Sequence, residues 1–218
     1  MDVIFDNLDL WRQGITLTLM VFVFGGLIAL VLGTIVGAMR VSPVPIARGV
    51  GTLYVTLVRN TPLTLVLFFF VFGYSALALP TLSNTMLGIL AIGTYTATYV
   101  AETLRAGINT VPVGQAEAAR AIGLPFGQVM TLIVLPQAFR SIVPPMMSVF
   151  IALLKNTTVL AGFSVAVLPA LQMTISNSHT RPGSPMEVLL WSAAFFVAVV
   201  MLLTWLQRTL EKRWRIAR

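Results

Sequence analysis

Glu117-Ala118-Ala119-Arg120-Ala121-Ile122-Gly123, followed by Ile133-Val134-Leu135-Pro136, decides how this chain is read. The stretch is a short, polar, alanine-rich helical segment inside a loop, residues 105–140, between long apolar spans. Pro112 suits the first turn of a helix, where its missing N–H costs nothing. Helix is predicted from Gly114 to Ile122, and Gly123 is a good C-terminal stop. Pro125 is expected to start a second short helix that ends before Pro136. On the first helix Ala118, Ala121 and Ile122 fall at i, i+3, i+4 and make one small apolar stripe. Glu117 and Arg120 can pair with each other or with a partner. A helix lying on lipid headgroups would carry bulky Leu, Phe or Trp on that stripe. Alanine buries little area, and its small side chain lets another protein approach closely. The loop therefore reads as a docking element.

The 218 residues are 57% hydrophobic and only 10% charged. A soluble domain carries about 25% charged residues, so this chain cannot cover a water-facing surface and reads as an integral membrane protein. Its net charge of +7 would suggest nucleic acid in a soluble protein. Here the basic residues flank apolar spans and read as topology signals, with no nucleic-acid partner. The absence of cysteine excludes disulfides and thiolate metal sites. No metal ligand set is recognisable, and His179 reads as a solvated loop histidine. Met1 to Asp9 is acidic and lacks the basic start of a cleavable signal peptide, so the first apolar span is expected to be retained.

About 20 apolar residues cross the hydrocarbon core of a membrane. Residues 13–39 and 60–101 are uncharged. We expect an all-α membrane protein with five spans, near residues 16–38, 52–77, 86–104, 141–165 and 188–207. Arg40, Arg48, Arg59, Arg105, Arg120, Arg140, Arg208, Lys212, Arg213, Arg215 and Arg218 then lie on one side, and only Arg12 and Arg181 on the other. That bias puts the N-terminus outside and the C-terminus in the cytoplasm. Gly33 and Gly37 form a small-xxx-small pair that favours close helix contact. No internal repeat or soluble domain is visible, so residues 1–218 are expected to form one membrane domain.

Further segments accompany the loop: Arg59-Asn60-Thr61-Pro62, the string TYTATYVAETLR from Thr94 to Arg105, Pro136-Gln137-Ala138-Phe139-Arg140, and Lys155-Asn156-Thr157-Thr158. Together with the Glu-Ala-Ala loop they resemble the permease subunits of ATP-binding-cassette (ABC) importers of polar amino acids, from about Arg40 to Thr158. The strings RVSPV, RNTPLTL and GQAEAAR look most similar to glutamate importer permeases of Gram-positive bacteria. The resemblance implies a type I importer permease fold, of the MetI-like kind, in a bacterial cytoplasmic membrane. It implies two permease subunits around the pathway, a heterodimer favoured over a homodimer. It also implies an ATPase dimer below and an extracellular substrate-binding protein. Glu117, Ala118, Ala119, Arg120 and Gly123 would couple this chain to an ATPase subunit. The chain has no GxxxxGK[ST] loop. It is therefore expected to be no enzyme and to bind no cofactor, with ATP and Mg used by the partner.

Lys155 is the sharpest feature within the spans. Fourteen residues beyond Ser141, it would lie roughly 20 Å from the cytoplasmic end. A lysine there costs about 2.5–3.5 kcal/mol on insertion scales, so it should face protein or a water cavity. Lys155 could bind a substrate carboxylate, with Asn156, Thr157, Asn60 and Thr61 completing the site. Alternatively it pairs with Glu102, or snorkels to the interface. Thr157 and Thr158 could also merely bond back to helix carbonyls. Arg59 reads as a structural or gate-region charge. The competing classes are a membrane scaffold and a membrane enzyme. The three aspartates all fall within residues 2–9, which leaves no acid pair for intramembrane catalysis.

Overall fold

A computed structural model describes residues 2–77, 79–176 and 185–214. Every regular element among the described residues is helical. The part of the 172–186 loop carrying His179 and Arg181 lies outside them, as do Arg215 and Arg218.

A single turn, Asp2–Phe5, precedes α1, Leu8–Val41. Its 34 residues rise about 51 Å, more than the roughly 30 Å of a hydrocarbon core. Ser42 adopts extended backbone, and Pro45 opens α2, Pro45–Arg59, at its first turn. α2 turns Gly51 and Val55 onto α1 and leaves Ile46, Leu53 and Leu57 exposed.

The span expected at 52–77 is not one straight helix. α2 stops at Arg59, and the next helical segment, Leu63–Ala76, leaves it at 101°. Pro62 is the cause. It donates no N–H, and it pushes Thr61 away from helical backbone. The Pro62 carbonyl then accepts from both Leu65 and Val66, which starts α3, Leu63–Phe68. A π-helical turn, Phe69–Gly73, carries the helix on to Tyr74–Ala76.

α4, Asn84–Ile108, begins where the Ser83 hydroxyl accepts from the Met86 N–H. It is the central helix and packs on α1, α2 and the long helix that follows the loop. Close approach explains Gly33: a Cβ there would sit 2.5 Å from Val100 Cβ and 2.8 Å from the Ala97 carbonyl. Gly93 repeats this from the other side, against Ile28 at 2.7 Å. Gly37 follows one turn on against Leu104. The expected small-xxx-small contact is thus the α1–α4 seam. Around it Val21, Leu67, Leu87, Ile92, Leu153 and Leu160 form the main core.

The loop helix is α5, Val113–Ala121. A further turn, Phe126–Gln128, and a π-helical stretch, Val129–Val134, then run straight into α6, Leu135–Asn156. The helix expected to end before Pro136 therefore passes through it. The π-helical register ahead of Pro136 absorbs the missing donor, as such bulges do. At the other end, the span expected at 141–165 is α-helical only to Asn156. A 3₁₀ segment, Thr157–Phe163, follows, and Ser164 turns the chain with φ 58°. Thr18 ties the returning chain to α1. Its hydroxyl donates to the Gly14 carbonyl at 2.7 Å and accepts from the Leu168 N–H at 3.0 Å. Helical turns Leu168–Ala170 and Leu171–Ser176 close this end.

α7, Pro185–Trp214, completes the described chain. Among the described residues three helical segments are long and apolar enough to cross a membrane: Leu8–Val41, Phe126–Ala170 and Pro185–Lys212. The bent pair Pro45–Arg59 and Leu63–Ala76 makes a fourth if taken as one span. α4 is long enough, but its threonines and tyrosines lower its mean hydropathy.

Candidate coupling surface and translocation pocket

α5 ends in a Schellman motif. Gly123 sits at φ 90°. Its N–H donates to the Arg120 carbonyl at 2.9 Å, and the Leu124 N–H donates to Ala119 at 3.1 Å. Only glycine takes this backbone without strain. Glu117, Ala118, Arg120, Ala121 and Ile122 all face outward. Ile122 is 78% exposed, on a loop that also exposes Val113 and Phe126. Glu117 and Arg120 make no ion pair with each other, so both charges are presented outward. Ala119 differs. It is 3% exposed and packs inside the loop with Val129 and Val134. Within the Glu-Ala-Ala run it holds the helix on its base while its neighbours form the surface.

Two polar contacts brace this surface. The Gln137 amide on α6 donates to the Gln115 side chain of α5 at 2.5 Å. Thr110 and Ser141 hydroxyls meet at 3.0 Å. Displacing α5 therefore loads α6, which runs on to the candidate substrate residues.

A cavity of about 410 Å³ lies between α4 and α6. Tyr95, Thr96 and Tyr99 line it from α4; Ser148, Ala152 and Asn156 line it from α6. The spacings are helical: i, i+1, i+4 on one wall and i, i+4, i+8 on the other. The Tyr95 and Tyr99 hydroxyls are 3.0 Å apart, and the Arg59 guanidinium stands 5.3 Å above the Tyr99 ring. Neutral donors and acceptors thus fill the pocket, with one cation beside it.

The substrate residues expected from sequence separate. Asn156 lines the cavity. Lys155 is exposed, on the same α6 face as Ser148, seven residues back. Thr157 is fully buried, and its hydroxyl donates to the Leu154 carbonyl at 2.7 Å. Thr158 bonds back to Lys155 at 2.8 Å. Asn60 and Thr61 sit at the bend after α2; Thr61 donates to the Leu57 carbonyl at 2.8 Å. Tyr95, Tyr99 and Ser148 were not singled out. The i, i+4 tyrosines of the TYTATYVAETLR string were the available signal.

The alternative Lys155–Glu102 pair does not form. Glu102 is held between two arginines, Arg40 from α1 and Arg105 one turn along α4 at 2.5 Å. Two cations reach the carboxylate from the end of α1 and from its own helix, so Lys155 is left without it.

Residues 10–216 match the family described as "Binding-protein-dependent transport system inner membrane component". The chain belongs to this family. A glutamate transport system permease of Corynebacterium efficiens is 42% identical over 175 residues, covering 75% of this chain and 77% of its own. A probable glutamine ABC transporter permease of Bacillus subtilis is 34% identical over 97% of this chain and 96% of its own. Among solved structures, an amino acid ABC transporter crystallised with histidines superposes with a TM-score of 0.88, at 26% identity and 96% coverage of both chains. The permease is thus a subunit of an amino acid ABC importer. It is not an enzyme; ATP hydrolysis belongs to a partner ATPase.

Proposed function

We propose that this permease forms one half of the pathway for a polar amino acid, glutamate first, and that the cavity between α4 and α6 is its substrate-contacting section. The observation that carries the reading is the Tyr95–Tyr99–Ser148–Asn156 lining, with Arg59 stacked over Tyr99. A polar amino acid needs neutral hydrogen-bond partners for its ammonium and side chain, and a cation for carboxylate. Arg59 supplies the cation on one flank. Lys155, next in the chain to the cavity-lining Asn156, supplies another. Asn60 and Thr61 border the path at the α2–α3 bend.

The coupling surface is Glu117, Ala118, Arg120 and the exposed Ile122, set by Gly123 and seated by Ala119. An ATPase subunit receives it from the cytoplasm, using ATP and Mg. An extracellular substrate-binding protein supplies the amino acid. A second permease subunit, a paralogue in preference to a copy, closes the other side of the pathway. Five spans with the N-terminus outside, in a bacterial cytoplasmic membrane, follow from the basic-residue bias. Glutamate is favoured over glutamine by the two cations near the cavity. A reconstituted complex given labelled glutamate, glutamine, arginine and histidine tests the substrate. Glutamate should stimulate ATP hydrolysis and accumulate most. Equal stimulation by arginine would remove the argument from Arg59 and Lys155.

A further inference from the structure

At the end of the bundle opposite α5, the first turns of α1 and the first third of α7 leave a cavity of about 810 Å³. That volume lies within the roughly 300–1,000 Å³ typical of ligand pockets. Trp11, Ile15, Trp191 and Phe195 form its apolar walls, and Asp9 and Arg12 sit at its edge. Two observations bear on what fills it. Asp9 and Arg12 are three residues apart, within reach of one another, yet they form no ion pair. Both charges are exposed and uncommitted. Finally, tryptophans with a charged rim and an apolar floor match the headgroup level of a membrane.

We propose that this cavity binds one zwitterionic phospholipid of the phosphatidylethanolamine class. Its phosphate meets the Arg12 guanidinium and its ammonium meets the Asp9 carboxylate. The acyl chains run down between Ile15 and Phe195. Phosphatidylglycerol offers the same phosphate to Arg12 but an uncharged glycerol to Asp9, so it lacks the ammonium–carboxylate pair. One cation and one anion a single turn apart fit a zwitterion better.

The test uses the full chain in detergent, with phosphatidylethanolamine and phosphatidylglycerol as probes and retained lipid read by native mass spectrometry. The wild type should retain phosphatidylethanolamine over phosphatidylglycerol by roughly tenfold, the worth of one charged hydrogen bond. Arg12→Gln should lose both lipids, and Asp9→Asn should abolish the preference. Melting in lipid-free detergent checks that the variants fold. If Arg12→Gln does not fold, the preference of Asp9→Asn decides alone. Equal retention of both lipids by the wild type would overturn the proposal. So would unchanged retention by Arg12→Gln, or a dimer that needs Arg12, which would make a second copy the occupant.

Discussion

Lys155 and Asn156 are chain neighbours with different surroundings. Asn156 is walled by α4, while Lys155 has no ion-pair partner and is exposed. Lys155→Met should therefore leave the fold intact, because an apolar residue is cheaper within a membrane. Glutamate uptake should fall roughly tenfold or more, the worth of a charged hydrogen bond. Normal uptake with normal assembly would leave Lys155 as a snorkelling residue. Glu102 behaves differently. Glu102→Gln leaves Arg40 and Arg105 facing each other without a carboxylate. Fully buried pairs broken this way cost about 3–5 kcal/mol. Glu102 is a quarter exposed, so about 1–2 kcal/mol is expected after allowing for solvent. A lowered melting temperature for Glu102→Gln, with no change for Lys155→Met, would separate the two roles. Arg105, at i+3 on the same helix, was within reach of sequence spacing; Arg40 was not, because it comes from the last turn of another helix 62 residues away.

Helix α5 shows what local chemistry makes legible. The proline before it, the small stripe and the glycine after it locate α5 to within a residue, since each acts within one turn. The bend at Pro62 and the helix running through Pro136 were not legible. A hydrophobic count has no direction, so a 101° turn inside an apolar stretch leaves it unchanged. Pro136 signals a stop unless a π-helical register precedes it, and no composition cue marks that register. For the coupling surface, Gly123→Leu forces a left-handed backbone costing roughly 1–2 kcal/mol and adds bulk at the edge of the surface. Glu117→Lys reverses a presented charge. Both variants should insert normally and lose co-purification with the ATPase subunit or transport-linked hydrolysis. Wild-type uptake in both would refute the coupling assignment. Gln137→Leu removes the bond to Gln115 without touching the outer surface. It should retain the ATPase but lower the stimulation of hydrolysis by substrate, as measured in the same vesicles.

Across the whole molecule, burial explains why one chain is not enough. Only 11% of the most apolar window of α7 is covered within the chain, and Met201, Leu202 and Trp205 are more than 60% exposed. Lipid or a second permease must cover them. Membrane class was legible because composition alone rules out a water-facing surface. The pocket was not, because it needs α4 and α6 side by side, a pairing made close by Gly107, where a Cβ would sit 2.1 Å from Ile142. The charge bias makes a topology prediction. A reporter fused after Arg218 should read cytoplasmic and one at Ser178 external; both on one side would end the five-span reading. The central claim is that substrate passes between α4 and α6. Its most direct test is labelled glutamate uptake into proteoliposomes holding the complete importer with Asn156→Leu, with basal ATP hydrolysis measured alongside. The account predicts basal hydrolysis near wild type and uptake reduced roughly tenfold. Uptake at the wild-type rate would contradict it.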